Sequence, residues 1–268
     1  MRRVMKGFTL VELVLVILVL GIVSTSVTSF IIFGVEIYQD VSGRDKQLSD
    51  SRFVIERITR EVREALPNSV RVTNDGSCIE FIPILASSSY VDIPVLPDDE
   101  RDTVTVVVSD ETFEQGNTKI AVYPLNAADV YVDGEANKGK LFNISSYGEP
   151  ANNVMDITLN EEVLFDDDSP TERYFIIKDS VAYCQDPANN EILRYQGHSF
   201  TTTQSTQAAF TAAGNTGVLM AERQSNDFPF STLSSTLLRN SIVVVDFTFT
   251  YDDENLRQIN EVHVANVP

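Results

Sequence analysis

The chain has few of the side chains on which catalysis and metal binding most often rest. Among its 268 residues are two cysteines, Cys78 and Cys184, and two histidines, His198 and His263. Two cysteines do not make a disulfide scaffold, and no metal-ligand spacing is present. Two distant histidines offer little material for a catalytic triad. A P-loop, a Gly-rich dinucleotide loop, an HExxH helix and a GxSxG elbow are all missing. Neither an enzyme nor a cofactor is expected. Positive charge is also scarce: 20 Lys and Arg stand against 39 Asp and Glu, a formal charge of −19. Such a surface repels phosphate, so nucleic acid is not an expected partner. Acidic clusters at Asp98–Asp99–Glu100, Asp166–Asp167–Asp168 and Asp252–Asp253–Glu254 lack the alternating spacing of a calcium loop. They read as solvated turns, with a cation site as the other reading. Proline is absent before Pro67, so nothing in that stretch breaks a helix.

What the first thirty residues do contain is a basic head, Arg2, Arg3 and Lys6, followed by an uncharged run from Leu13 to Val23. Basic residues stay in the cytoplasm when an apolar helix inserts, so the amino end is expected to face inward. A secretory signal peptide would begin the same way and be cut among the small residues Ser24–Ser29. Two features point elsewhere. The stretch GFTLVELV places Glu12 inside the membrane-directed segment, where a carboxylate costs roughly 2.5–3.5 kcal/mol on insertion scales. An intramembrane carboxylate is functional by default and needs a partner. The helical pattern also continues past the apolar run, through Ile37, Val41, Leu48, Ile55, Ile58 and Val62. Arg44 and Ser51 interrupt that stripe.

These residues resemble the type IV prepilins and the pseudopilins of type II secretion. The resemblance implies that Gly7 ends a leader, residues 1–7, and that a prepilin peptidase cuts between Gly7 and Phe8. It implies N-methylation of Phe8 and makes Glu12 the fifth mature residue. Its implied partners are the peptidase, other major and minor pilins, and an inner-membrane assembly platform. The subunit would wait in the bacterial inner membrane as a single-pass protein, with its domain in the periplasm and later outside in the pilus. Many major pilins carry a proline that kinks the membrane half of the helix; Ser29 stands there in this chain, amid Ser24, Thr25, Ser26 and Thr28. Small hydroxyl residues bend a helix mildly or let helices approach closely. ERITREVREALPNSVRV, CIEF, AYC…ILRY and EVHVANVP resemble minor pilins of the mannose-sensitive haemagglutinin (MSHA) pilus, with minor pilins and pseudopilins of the PilW and J types as wider relatives.

A helix from Phe8 to Leu66 would run about 88 Å, beyond a hydrocarbon core of about 30 Å. Residues 8–35 suit the membrane, and the second half must dock outside it by its apolar stripe. Arg52, Glu56, Arg57, Arg60, Glu61 and Glu64 read as its solvated face. After Pro67 the pattern turns to strands. Cys78–Ile84, Thr103–Val108, Lys119–Tyr123, Met155–Leu159 and Arg173–Ile177 are β-rich. Val181–Gln185 with Glu191–Tyr195, and Ser241–Thr250 with Gln258–Ala265, read as hairpins. The expected class is α+β: a long helix packed on an antiparallel sheet within one globular domain, residues 67–268, in a pilin-like fold. Thr201–Gly217 reads as an insertion or mobile loop, with a short helix as the alternative. Cys78 and Cys184 lie on strands of a domain expected to be exported, where an oxidising compartment favours a bond; two buried free thiols are the alternative. The expected role is a structural subunit, a minor pilin. A J-type pseudopilin and a tip adhesin are the other readings.

Overall fold

A computed structural model describes residues 7–73, 75–132, 139–198, 200–233, 241–251 and 254–264. One continuous helix, α1 (Leu10–Arg63), comes first. Then follow β1 (Arg71–Val72), β2 (Cys78–Phe81), β3 (Ile84–Asp92), β4 (Arg101–Val107), β5 (Lys119–Val122), β6 (Leu141–Tyr147) and β7 (Val154–Val163). The rest are β8 (Arg173–Ile177), β9 (Ser180–Asp186), β10 (Glu191–His198), helix α2 (Gln207–Ala212), β11 (Val218–Ala221), β12 (Phe230–Leu233), β13 (Ser241–Tyr251) and β14 (Glu254–Val264). The class is α+β, a long amino-terminal helix followed by an antiparallel β-rich region. Contacts divide the chain into two units, Met1–Ser49 and Asp50–Pro268.

In the second unit the strands form three assemblies, not the single sheet the pattern suggested. A five-stranded sheet has the order β1-β2-β9-β10-β11, and a three-stranded sheet the order β12-β13-β14. Six further strands close into a barrel, β3-β4-β7-β6-β5-β8. The barrel strands all lie in sequence between β2 and β9, which are themselves paired neighbours with Cys78 opposite Cys184. The barrel is therefore an insertion carried on a two-stranded stem. Its interior is apolar, with Val104, Val106, Ile120, Ile157 and Ile176 all buried. Closure removes the free edges that an open sheet would expose.

The end of α1 is held in the core between the two open sheets. Val54, Ile58 and Val62 are fully buried with Ile79, Phe81 and Tyr183 of one sheet and Val243, Val245 and Phe247 of the other. Burying each such aliphatic side chain contributes about 1.5–3 kcal/mol. Ser51 is also fully buried on this face, so it continues the docking stripe where the sequence pattern read an interruption. The helix stops because Pro67 disfavours helical backbone at Leu66, and Asn68 then turns left-handed at φ 62°. Backbone groups left open at the helix end exchange hydrogen bonds with the link after β2 and the start of β3. Ile84 N–H donates to Glu64 C=O at 3.1 Å, while Leu66 N–H donates to Ile82 C=O at 2.8 Å.

Candidate functional site: the amino-terminal helix segment

Gly7, Phe8 and Thr9 precede α1. The Thr9 hydroxyl accepts the Glu12 N–H at 3.4 Å, and the Thr9 carbonyl accepts the Leu13 N–H at 3.2 Å. Thr9 thus caps the helix start. Glu12 sits in the first turn, where a carboxylate complements the positive end of the helix dipole. A Cβ added at Gly7 would meet no atom within 4 Å. Packing within the chain therefore gives no reason for glycine at that position.

Past Glu12 the helix is apolar and exposed on every side. Leu20 is 61% exposed and Phe30 is 77% exposed. By length and composition, this helix can cross a membrane. Its hydroxyls are satisfied inside the helix. Thr25 donates to Ile22 C=O at 2.9 Å and Ser26 to the same carbonyl at 3.1 Å. Thr28 donates to Ser24 C=O at 2.9 Å and Ser29 to Thr25 C=O at 3.1 Å. Bonds of this kind let polar residues sit in hydrocarbon without unpaired groups. The helix is unbroken through this stretch.

The docked end carries a polar cluster that the sequence pattern misread. Glu61 is no solvated surface residue: its side chain is 14% exposed. One carboxylate oxygen accepts Arg57 Nε–H at 2.7 Å. The other accepts the Tyr183 hydroxyl and Arg194 Nε–H, each at 3.0 Å. Burial and the Glu61 charge push the Tyr183 pKa up, so its hydroxyl stays a donor. A second buried carboxylate, Glu80, joins Arg71 and His198. Arg71 Nε and Nη2 reach one oxygen at 2.9 and 2.8 Å, and His198 Nε2 stands 3.0 Å from the other. The Arg71 guanidinium also lies 3.5 Å from the centroid of the Tyr131 ring. Both clusters join residues distant in sequence, and no spacing signal announces them.

Of the sequence-derived site residues, Gly7, Phe8 and Glu12 fall in the first unit and the cysteines in the second. Cys78 and Cys184 are joined by a disulfide at the stem of the barrel insertion. Beside it packs Phe210 of α2, buried and stacked on Tyr195 at 4.6 Å between centroids. The 201–217 stretch is thus pinned at its middle, contrary to a mobile loop; the short-helix alternative describes it better. Two of the three acidic clusters have cationic neighbours among the described residues. Asp167 takes Lys140 Nζ at 2.6 Å, and Asp98 lies 4.0 Å from Arg101. Among the described residues no group of three His, Cys, Asp or Glu is arranged to hold a metal. Arg2, Arg3, Lys6, Asp252, Asp253 and the closing residues from Ala265 lie outside the described residues.

Residues 2–28 match the family model of the prokaryotic N-terminal methylation motif. No curated protein and no solved structure matches the chain significantly. The motif supports a type IV pilin-like protein, made as a precursor for prepilin peptidase and assembled with other pilins. The apolar helix agrees with membrane anchoring before assembly.

Proposed function

We propose that the chain is a minor type IV pilin that helps initiate or tip an MSHA-type pilus, its globular segments resembling the MSHA minor pilin MshO. In this reading residues 1–7 are the leader and 8–66 the helix, with 8–35 in the membrane and later in the filament core. Residues 67–268 form the periplasmic and extracellular domain. Cleavage falls between Gly7 and Phe8, and Phe8 is N-methylated. The observation that supports the pilin-like part of the proposal is the methylation motif over residues 2–28, on a helix that can cross a membrane and bears one carboxylate, Glu12, in its first turn.

The chemistry follows from the low dielectric of a helical bundle. The charged amine of Phe8 needs compensation there, and Glu12 of a neighbouring subunit can supply it. Two charges about 4 Å apart attract by about 4 kcal/mol at an effective dielectric of 20, before desolvation. That attraction rewards one axial register and penalises slips. The tip role rests on bulk and charge. A large domain on a chain of net charge −19 repels like neighbours within a Debye length of about 8 Å. In a tightly wound shaft every copy sits between neighbours, whereas at the tip one face is free.

Two experiments test these parts. Glu12→Ala should leave the protein cleaved and membrane-inserted but weaken its crosslinking to neighbouring pilins; undiminished crosslinking removes the charge-pairing role. A deletion strain should lose filament number more than filament length, with labelled protein at filament ends in the wild type. Even labelling along the shaft, at a stoichiometry close to the major subunit, contradicts the tip role. Co-purification with a type II secretion machine would assign the chain to the J-type pseudopilins instead.

A further inference from the structure

A cleft of ≈ 580 Å³ opens on the outer wall of the barrel, where β5, β6 and β8 meet the segment that follows β10. That volume lies within the ordinary range for small-ligand sites, about 300–1,000 Å³. Strand alternation creates its chemistry. Ile120 and Phe142 turn into the barrel, and the cross-strand partners Lys119 and Asn143 turn outward. Asn117 stands at the turn before β5, and Lys178 and Asp179 follow β8. Phe200, packed edge-on against Tyr131, closes one side of the cleft.

The two lysines differ. Lys178 pairs with Glu114 at 3.8 Å. The Lys119 ammonium bonds the neutral Asn143 side-chain oxygen and lies 5.9 Å from the Phe200 ring centroid. Burial lowers its pKa below the ordinary lysine value, and Asp179 offsets this only in part. A half-buried ammonium with no carboxylate in ion-pair contact among the described residues gains from an added anion. One such cation suits a singly charged carboxylate better than a phosphate. Amide side chains offer a donor and an acceptor side by side, which matches vicinal hydroxyls.

We infer that this cleft binds a carboxylated sugar, with Lys119 taking the carboxylate and Asn117 and Asn143 the hydroxyls. The site stands independently of the pilin assignment, because none of its residues belongs to the amino-terminal helix. Carboxylated sugars come from two sources, uronic acids and sialic acids, and the chemistry at Lys119 is common to both.

The test uses the full chain in detergent micelles, by saturation-transfer NMR and calorimetry. The probes are digalacturonate, sialyllactose, lactose and acetate. At least one acidic sugar should bind, and which one identifies the source. Lactose and acetate should bind at least about tenfold more weakly, as expected when a charge-assisted contact or the hydroxyl contacts are missing. Lys119→Gln should lower acidic-sugar affinity by about tenfold while leaving the melting temperature in place. Asn117→Gly, which suits the left-handed backbone at φ 51°, should weaken binding without strain. Several results would overturn the inference: no binding of either acidic sugar at millimolar concentration, lactose or acetate binding as well as the acidic sugars, or unchanged affinity in Lys119→Gln. Lost crosslinking of Lys119→Gln to neighbouring pilins, with no sugar bound, would make the cleft a subunit contact.

Discussion

Replacing Glu61 by alanine tests how α1 is held against the five-stranded sheet. The carboxylate is the shared acceptor for Arg57, Tyr183 and Arg194, at 2.7, 3.0 and 3.0 Å. Its removal leaves the Arg194 side chain, 12% exposed, as an uncompensated charge, and the Tyr183 hydroxyl without its acceptor. Breaking one side of a buried pair costs about 3–5 kcal/mol. Water reaches this pair slightly, so the lower end, about 3 kcal/mol, is the expected loss. For a unit of this size that lowers the melting temperature by about 6–12 °C. Glu61→Gln keeps the shape and one acceptor and should cost about 1–2 kcal/mol; Tyr183→Phe should cost about 1 kcal/mol. Arg57 is more exposed, so Arg57→Ala should cost less than about 1 kcal/mol. The double variant Glu61→Ala/Arg194→Met should lose less than the sum of its parts, because it removes the stranded charge as well. Denaturation of the full chain in detergent, followed by tyrosine fluorescence in a protein without tryptophan, reads these differences. A Glu61→Ala variant within about 0.5 kcal/mol of wild type would mean that the carboxylate is ordinary helix surface.

Three further outcomes follow from the same unit. The Cys78–Cys184 bond spans a sequence separation of 106 residues and closes the stem beneath the barrel. Cys78→Ala/Cys184→Ala should therefore cost about 4.7 kcal/mol on the chain-entropy model. A melting temperature within about 3 °C of wild type would contradict that figure. Phe210→Ala should cost about 3 kcal/mol and open 201–217 to limited proteolysis; an unchanged digestion pattern would show that the stretch is not held through this ring. The Arg257 guanidinium beside Asp246 holds its carboxyl below the ordinary value of 3.8. A depressed folded pKa means that this stability is present above the ordinary value and is lost as pH falls through the folded one. Asp246→Asn should thus be less stable than wild type at about pH 6, with the gap closing below about pH 4. A gap that stays constant on acidification would show that the pair is not the source.

The long helix was legible because its signal is redundant: an unbroken apolar run, a continuing stripe and no proline before Pro67. The two hairpins were legible for a similar reason, with DPANN and YDDEN separating β-rich runs. The paired strands are Ser180–Asp186 with Glu191–His198, and Ser241–Tyr251 with Glu254–Val264. The barrel was not legible. Its strands β3, with ASSS at the centre, and β6, with NISSY, dilute the apolar alternation with small polar residues. Pairing order is also a long-range property that no local pattern carries. Glu61 was misread because an acid among arginines on a helix usually faces water. Its burial is decided by Tyr183 and Arg194, more than a hundred residues away. In the amino-terminal segment, the methylation motif was legible from eight consecutive residues. The cleft had no sequence signal, because strand register and the placement of Phe200 bring its residues together.

The central claim, processing as a prepilin, is tested most directly by mass spectrometry of the amino-terminal peptide from membrane-extracted protein. The account predicts a chain that begins at Phe8 and carries a methyl group on its α-amine. A chain that begins among Ser24–Ser29, or one that retains Met1–Gly7 in cells with an active prepilin peptidase, would contradict it.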